Sequence, residues 1–171
     1  MLVMATVPSK HQLNLAKAAF VALLALILLG LVLNGASEDI LRRALHNILQ
    51  RSGGPMSFRF ILQPAMAALA ALHDGIKDAR MSRPPYVWAM LSQPASSRAG
   101  LREALIATAR IILIGLGMDA IYQTFVLHAF YPGEMAMVAV LLAFLPYVVL
   151  RGPMGRLAHW WFKRKARIER D

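Results

Sequence analysis

The 171-residue chain has no cysteine. Disulfides, thiolate metal sites and cysteine nucleophiles are therefore excluded. Acids are scarce: nine Asp and Glu stand against 19 Lys and Arg, and charged residues of either sign make up only 16% of the chain. No G-x-S-x-G, Walker A or H-E-x-x-H string occurs, and no G-x-G-x-x-G follows a strand pattern. The five histidines, His11, His46, His73, His128 and His159, have no second His or carboxylate at zinc spacing, and His73-Asp74 is an isolated neighbouring pair. The ten methionines are scattered and read as apolar filler. These gaps leave no catalytic set and no cofactor or metal motif, so the expectation is a non-enzymatic protein. An enzyme working at a lipid surface through His73 and Asp74 is the weakest of three readings.

What the chain has in abundance is oil. Hydrophobic residues are 58% of it and the mean hydropathy is +0.52, above an ordinary soluble domain, and the excess falls in long blocks that argue for membrane spans. The net charge of +10 would suggest nucleic acid in a soluble protein, but here the cations flank apolar segments. The expected partner is the lipid bilayer, not nucleic acid. The fold class expected is all-α: an integral membrane protein of three to four transmembrane helices plus interfacial amphipathic helices.

Residues 1–34 read as an N-terminal anchor span. Leu15 to Leu33 carries only Lys17, which can snorkel from the end. A signal-peptide cut after Ala36 would place Asn34 where a small neutral residue is needed, so the anchor is expected to stay uncleaved. Residues 35–103 read as amphipathic helices and a basic loop. Ser37 suits an N-cap, and Ile40, Leu41, Ala44, Leu45, Ile48 and Leu49 share a face opposite Arg42, Arg43, His46, Asn47 and Arg51. Within this region 58–76 is a candidate short span. Phe58, Leu62, Ala65, Leu69, Leu72 and Ile76 form an apolar stripe, and Ala67, Ala71 and Gly75 form a line of small residues suited to close helix packing. Its charge-free core, Phe60 to Leu72, is ~20 Å of helix, short of a bilayer, and Pro64 marks a kink or a lead-in. From Asp78 to Arg102, three prolines and four arginines read as a loop with a short surface turn, with Tyr86 and Trp88 at a headgroup boundary.

Residues 104–151 read as a two-span helical hairpin turning at "FYPGE", with Pro132 at the first helical position, Glu134 in the first turn and Pro146 as a bend. Residues 152–171 read as a basic interfacial tail punctuated by Gly152-Pro153, in which Trp160, Trp161, Lys163, Arg164 and Lys165 anchor to the membrane interface. The turn 130–134 has no Lys or Arg and the tail from Arg151 has seven, which sets the C-terminus on the cytoplasmic side. The amino terminus follows from 58–76. A crossing there gives four spans and an inside N-terminus. No crossing gives three spans and an outside one; the loop-charge rule mildly favours three spans, and the line of small residues mildly favours four.

Two charges fall within the first hairpin helix, Arg110 and Asp119. An acid at the centre of a span costs roughly 2.5–3.5 kcal/mol on insertion scales. Arg110 can reach headgroups by its long stem; Asp119 must be protonated, paired or facing water. Nine positions of helix put the two on opposite faces ~13 Å apart, so they do not pair. Asp119, Tyr122 and Gln123 instead make a polar stripe, with Gly115 on the same face to admit another helix. Two roles compete. In one the stripe is a packing or assembly device, with Asp119 bonded to another helix, for instance at Tyr147, or to another subunit. In the other Asp119 is a proton or cation site, with His128 or Arg110 as relays. Ionisable groups on the other spans are too few for an evident relay, and no internal repeat or broken half-helix pair is visible.

The strings "DGIKDAR", "RPPYVWAML", "GLGMDAIYQ", "FYPGEM" and "LLAFLPYVVLRGP" resemble a group of short bacterial integral-membrane proteins with no assigned activity, over roughly Phe60 to Arg156. The resemblance implies the cytoplasmic (inner) membrane of a bacterium and no catalytic residues. The leading expectation is an accessory or assembly subunit of a larger membrane complex, with partner subunits or self-association. The rival is a small oligomeric transporter or channel using Asp119.

Overall fold

The computed structural model describes residues 8–35, 57–81 and 94–168, together with Arg42, His46, Arg83, Tyr86, Trp88 and Ser92. The described residues are helical, with no strand among them. Helix α1 (Lys10–Asn34) starts at a capping box in which the Ser9 hydroxyl accepts from the Gln12 N–H while the Gln12 side chain accepts from the Ser9 N–H. It stops at Gly35, whose φ of 74° suits glycine. Helix α2 covers Arg59–Arg80 and α3 covers Pro94–Tyr122, ending in a wide π turn over Gln123–Leu127. After the turn, α4 (Pro132–Ala139) has proline at its start and Glu134 in its first turn. A second π turn, Val140–Phe144, leads into α5 (Leu145–Ile168). The expected amphipathic helix at 37–51 lies outside the described residues except for Arg42 and His46, both helical and exposed.

Contacts fix an up-down-up-down order. Gly30 near the end of α1 meets Gly133 at the hairpin turn, and Lys17 near its start lies by Arg102 of α3. Helix α2 begins beside Asp119 and ends beside Arg151, so its 22 residues, ~33 Å of helix, run the full length of the bundle. The segment expected as a candidate short span is thus the first part of a full-length helix.

Among the described residues three stretches are long and apolar enough to cross a membrane: Lys10–Leu33, Ser97–Leu127 and Pro132–Lys165. Of these, α1 is built small-inside and large-outside, as is α2 beside them, whereas α3 and α5 also bury large side chains such as Ile112 and Tyr147. In α1, Ala16, Ala19 and Gly30 are buried while Phe20, Val21, Leu24, Leu28 and Leu31 are exposed. In α2 the buried line is Arg59, Gln63, Ala67, Ala71, Gly75 and Asp78. The stripe of Phe58, Leu62 and Leu69, together with Ile61, points outward. Small side chains let backbones approach: a Cβ on Gly75 would lie 2.8 Å from the Gly155 nitrogen, and one on Gly30 would lie 2.7 Å from the Gly133 Cα.

Three expectations are corrected. The stretch Asp78–Arg102 is not simply a loop, because α2 continues to Arg80 and α3 already begins at Pro94. Tyr86 is not a headgroup anchor. It is buried, its hydroxyl donates to the Gly100 carbonyl at 2.6 Å, and its ring meets Tyr147 edge-on at 6.5 Å; Trp88 is exposed. Gly152-Pro153 does not stop α5, which runs on to Ile168. Proline removes the single bond to the residue four back, and a helix packed on neighbours tolerates that loss. At Pro146 the ring would crowd the carbonyl of Leu142, and the π turn over Val140–Phe144 falls at that point.

Two buried polar clusters as the candidate functional site

Four residues of the polar line in α3 and its neighbours meet near the hairpin end. Asp119 is 1% exposed. One of its oxygens lies 2.6 Å from Arg59 Nη1 of α2, and the other accepts from Gln123 Nε2 at 2.8 Å. Gln123 also closes the turn: its amide oxygen accepts from the Tyr131 N–H at 2.7 Å and its amide nitrogen donates to the Tyr131 carbonyl at 3.2 Å. The π turn and the left-handed His128, φ 48°, bring the chain round to allow this. Tyr122 is buried with the Arg59 guanidinium 5.0 Å above its ring, a cation–π contact.

Arg59 is held by charge more than by hydrogen bonds. Its contact with Asp119 is short but poorly aligned, and among the described residues Nε, Nη1 and Nη2 make no regular hydrogen bond. Gln63, one turn further along α2, is 3% exposed and fills the notch left by Gly115, where a Cβ would overlap its Nε2. The small residue expected to admit a neighbouring backbone admits a polar side chain instead. Tyr147 is not the partner of Asp119: its hydroxyl donates to Asp74 at 2.6 Å. The acid's partner is Arg59, which sequence reasoning missed. A signal for it existed, because Arg59 and Gln63 extend the small line Ala67, Ala71, Gly75 backward at four-residue spacing.

A second cluster, at the other end of α2, was not foreseen. Arg151 of α5, 2% exposed, grips Asp78 with two nitrogens, Nε at 2.8 Å and Nη2 at 3.1 Å, the bidentate geometry that makes such pairs strong. Nη2 also lies 3.1 Å from Glu103 of α3, and Nη1 donates to the Tyr147 hydroxyl at 3.0 Å. The guanidinium stacks 4.2 Å from the Tyr86 ring. Arg83 bridges Asp78 and Glu103 more loosely, at 3.4 and 3.7 Å. One arginine thus ties α2, α3, α5 and the α2–α3 connection together. Burial pushes the Tyr86 hydroxyl up to about 12, against the opposing pull of the Arg151 charge.

The remaining candidates lie elsewhere. Arg110 is exposed, on a cleft it shares with His73, Asp74 and Lys77. His128 is exposed at the turn. Trp160, Trp161, Lys163, Arg164 and Lys165 are exposed along the end of α5, with Arg164 over the Trp160 ring at 5.5 Å and Trp161 against Phe162 at 5.6 Å. Among the described residues no three His, Asp or Glu side chains gather as a metal site. No protein-family model, curated protein or solved structure matches the chain. Among the described residues the chain is all-helical, with three helices long and apolar enough to span a membrane.

Proposed function

We propose that the chain is a four-pass protein of a bacterial cytoplasmic membrane, with both termini inside, acting without catalysis as an accessory or assembly subunit of a larger membrane complex. The observation that carries this is the Arg59–Asp119 pair. The one acid midway along the hairpin's first helix is neutralised inside the bundle and braced by Gln123, so the polar stripe supports helix packing instead of lining a path for ions. Large apolar side chains are exposed along α1, α2, α3 and α5. In water, exposed patches of that size mark association or aggregation sites; in lipid they are the expected surface.

Four passes place Arg42, Arg43 and Arg51 outside, against the loop-charge rule. The length and direction of α2 support the crossing more strongly, because its buried charges have partners that a charge count ignores. A topology reporter fused after Gly54 tests this: a periplasmic signal fits four passes, and a cytoplasmic one rejects them. The role is tested by mild-detergent purification of the full chain from its source membrane together with Asp119→Asn in proton-flux measurements. A stable heteromeric partner, with assembly retained in the Asn variant, supports the subunit reading. Proton-linked flux abolished by that substitution supports the transporter reading in its place.

A further inference from the structure

A cleft of about 520 Å³ opens at the Arg151 end of the bundle, where α5 passes the α2–α3 connection, within the size range of small-ligand sites. One wall carries Arg83, with Asp78 and Tyr86 behind it. The other is a single face of α5, on which Gly152, Gly155, Arg156, His159 and Lys163 recur every three or four residues. At Gly155 the α5 backbone closes on Gly75 of α2, so the cationic side chains stand along the edge of that contact.

The charges in this cleft do not cancel. Asp78, the acid that lines the cleft among the described residues, has both oxygens engaged by Arg151, and Glu103 beside it is shared by Arg151 and Arg83. Two arginines against two carboxylates make a neutral cluster. Arg156, His159 and Lys163 are left over: among the described residues none of them has an ion-pair or hydrogen-bond partner. With Arg83, 42% exposed, they converge on one space from two sides. A planar arginine fork on one rim and an ammonium on the other suit an anion with several oxygens. Trp160 lines the same cleft and is exposed, as an indole is at headgroup depth.

We propose that this cleft binds a phosphate group, carried either by an anionic phospholipid headgroup or by a soluble phosphate ester. The lipid source rests on the membrane reading above; the phosphate chemistry does not.

The test uses the full chain in dodecyl maltoside, with binding followed by native mass spectrometry and thermal shift. The probes are phosphatidylglycerol, phosphatidylcholine, sodium phosphate and glycerol 3-phosphate. The cleft variant is Arg156→Gln/Lys163→Gln. The control, Lys10→Gln/Arg98→Gln, removes equal charge outside the cleft. All four positions are exposed, and circular dichroism checks that both variants keep the helical content. Preferential phosphatidylglycerol binding that weakens about tenfold in the cleft variant and less than about twofold in the control supports the site with lipid as the source. Binding of phosphate or glycerol 3-phosphate with the same dependence on Arg156 and Lys163 supports the site with a soluble source. Equal loss in both variants, or no preference for any phosphate probe over phosphatidylcholine, overturns it. Extraction of the chain from membranes by alkaline carbonate overturns the membrane reading alone and leaves the soluble-phosphate measurement standing.

Discussion

Arg59 and Asp119 face each other across α2 and α3 with 2.6 Å between charged atoms, each side chain 1% exposed. Sixty residues apart in sequence, they tie one end of the bundle together. Removing one partner leaves the other charge buried alone, so Asp119→Ala should destabilise by about 3–5 kcal/mol. Replacing both with apolar residues of similar volume, Arg59→Met with Asp119→Leu, should recover most of that loss. Denaturant titration of helicity in detergent checks the pair, and a double variant no more stable than Asp119→Ala contradicts it.

Glycines in this chain separate into close approaches and open positions. A Cβ at Gly75 would press on the Gly155 backbone, whereas one at Gly117 meets nothing within 4 Å. Gly75→Ala should therefore cost about 1–3 kcal/mol by forcing α2 from α5. Gly117→Ala, in open helix, should gain up to about 1 kcal/mol in helix propensity. Opposite signs in thermal unfolding are the expected outcome.

Arg151→Lys should be nearly as damaging as Arg151→Ala. A lysine reaches one partner at a time, whereas the guanidinium serves Asp78 twice, Glu103 and the Tyr147 hydroxyl while lying on Tyr86. Limited proteolysis within the α2–α3 connection should accelerate in both variants.

Tyr86 gives a pH dependence with a definite sign. Its ordinary value is 10.0, and burial raises it to about 12 in the folded chain. Below pH 10 the hydroxyl keeps its proton in both states, and the stability is fully present. Between pH 10 and 12 the unfolded tyrosine ionises first, so stability is lost as pH rises. Tyr86→Phe should flatten the decline in that window, at a cost near neutrality of about 1 kcal/mol for the lost bond to the Gly100 carbonyl.

The helices long and apolar enough to span a membrane and the 104–151 hairpin were legible, because hydropathy sums over many residues and the Tyr-Pro-Gly-Glu turn has its own backbone chemistry. Helix α2 was harder to read for a physical reason. Arg59 at its start and Asp74, Lys77 and Asp78 near its end leave a short uncharged run, and a linear reading counts each charge as a cost without seeing Asp119 and Arg151, whose positions only the bundle fixes. For the same reason Tyr147 is a plausible partner of Asp119 in the sequence, yet it lies on α5 at the depth of Asp74, and the partner is Arg59 of α2. The outward orientation of Phe58, Leu62 and Leu69 inverted the usual meaning of an apolar stripe. In α2 the small line faces the protein and the large side chains face away.

The two wide turns that flank the hairpin, Gln123–Leu127 and Val140–Phe144, also set the phase of everything beyond them. Each holds one residue more than a regular helix would need for the same rise. Were the second tightened by a single-residue deletion, the rest of the chain would rotate by about 100°, carrying Tyr147 and Arg151 away from Asp74 and Asp78 together. Hydrophobic length along this stretch is therefore forgiving, while its exact residue count is not.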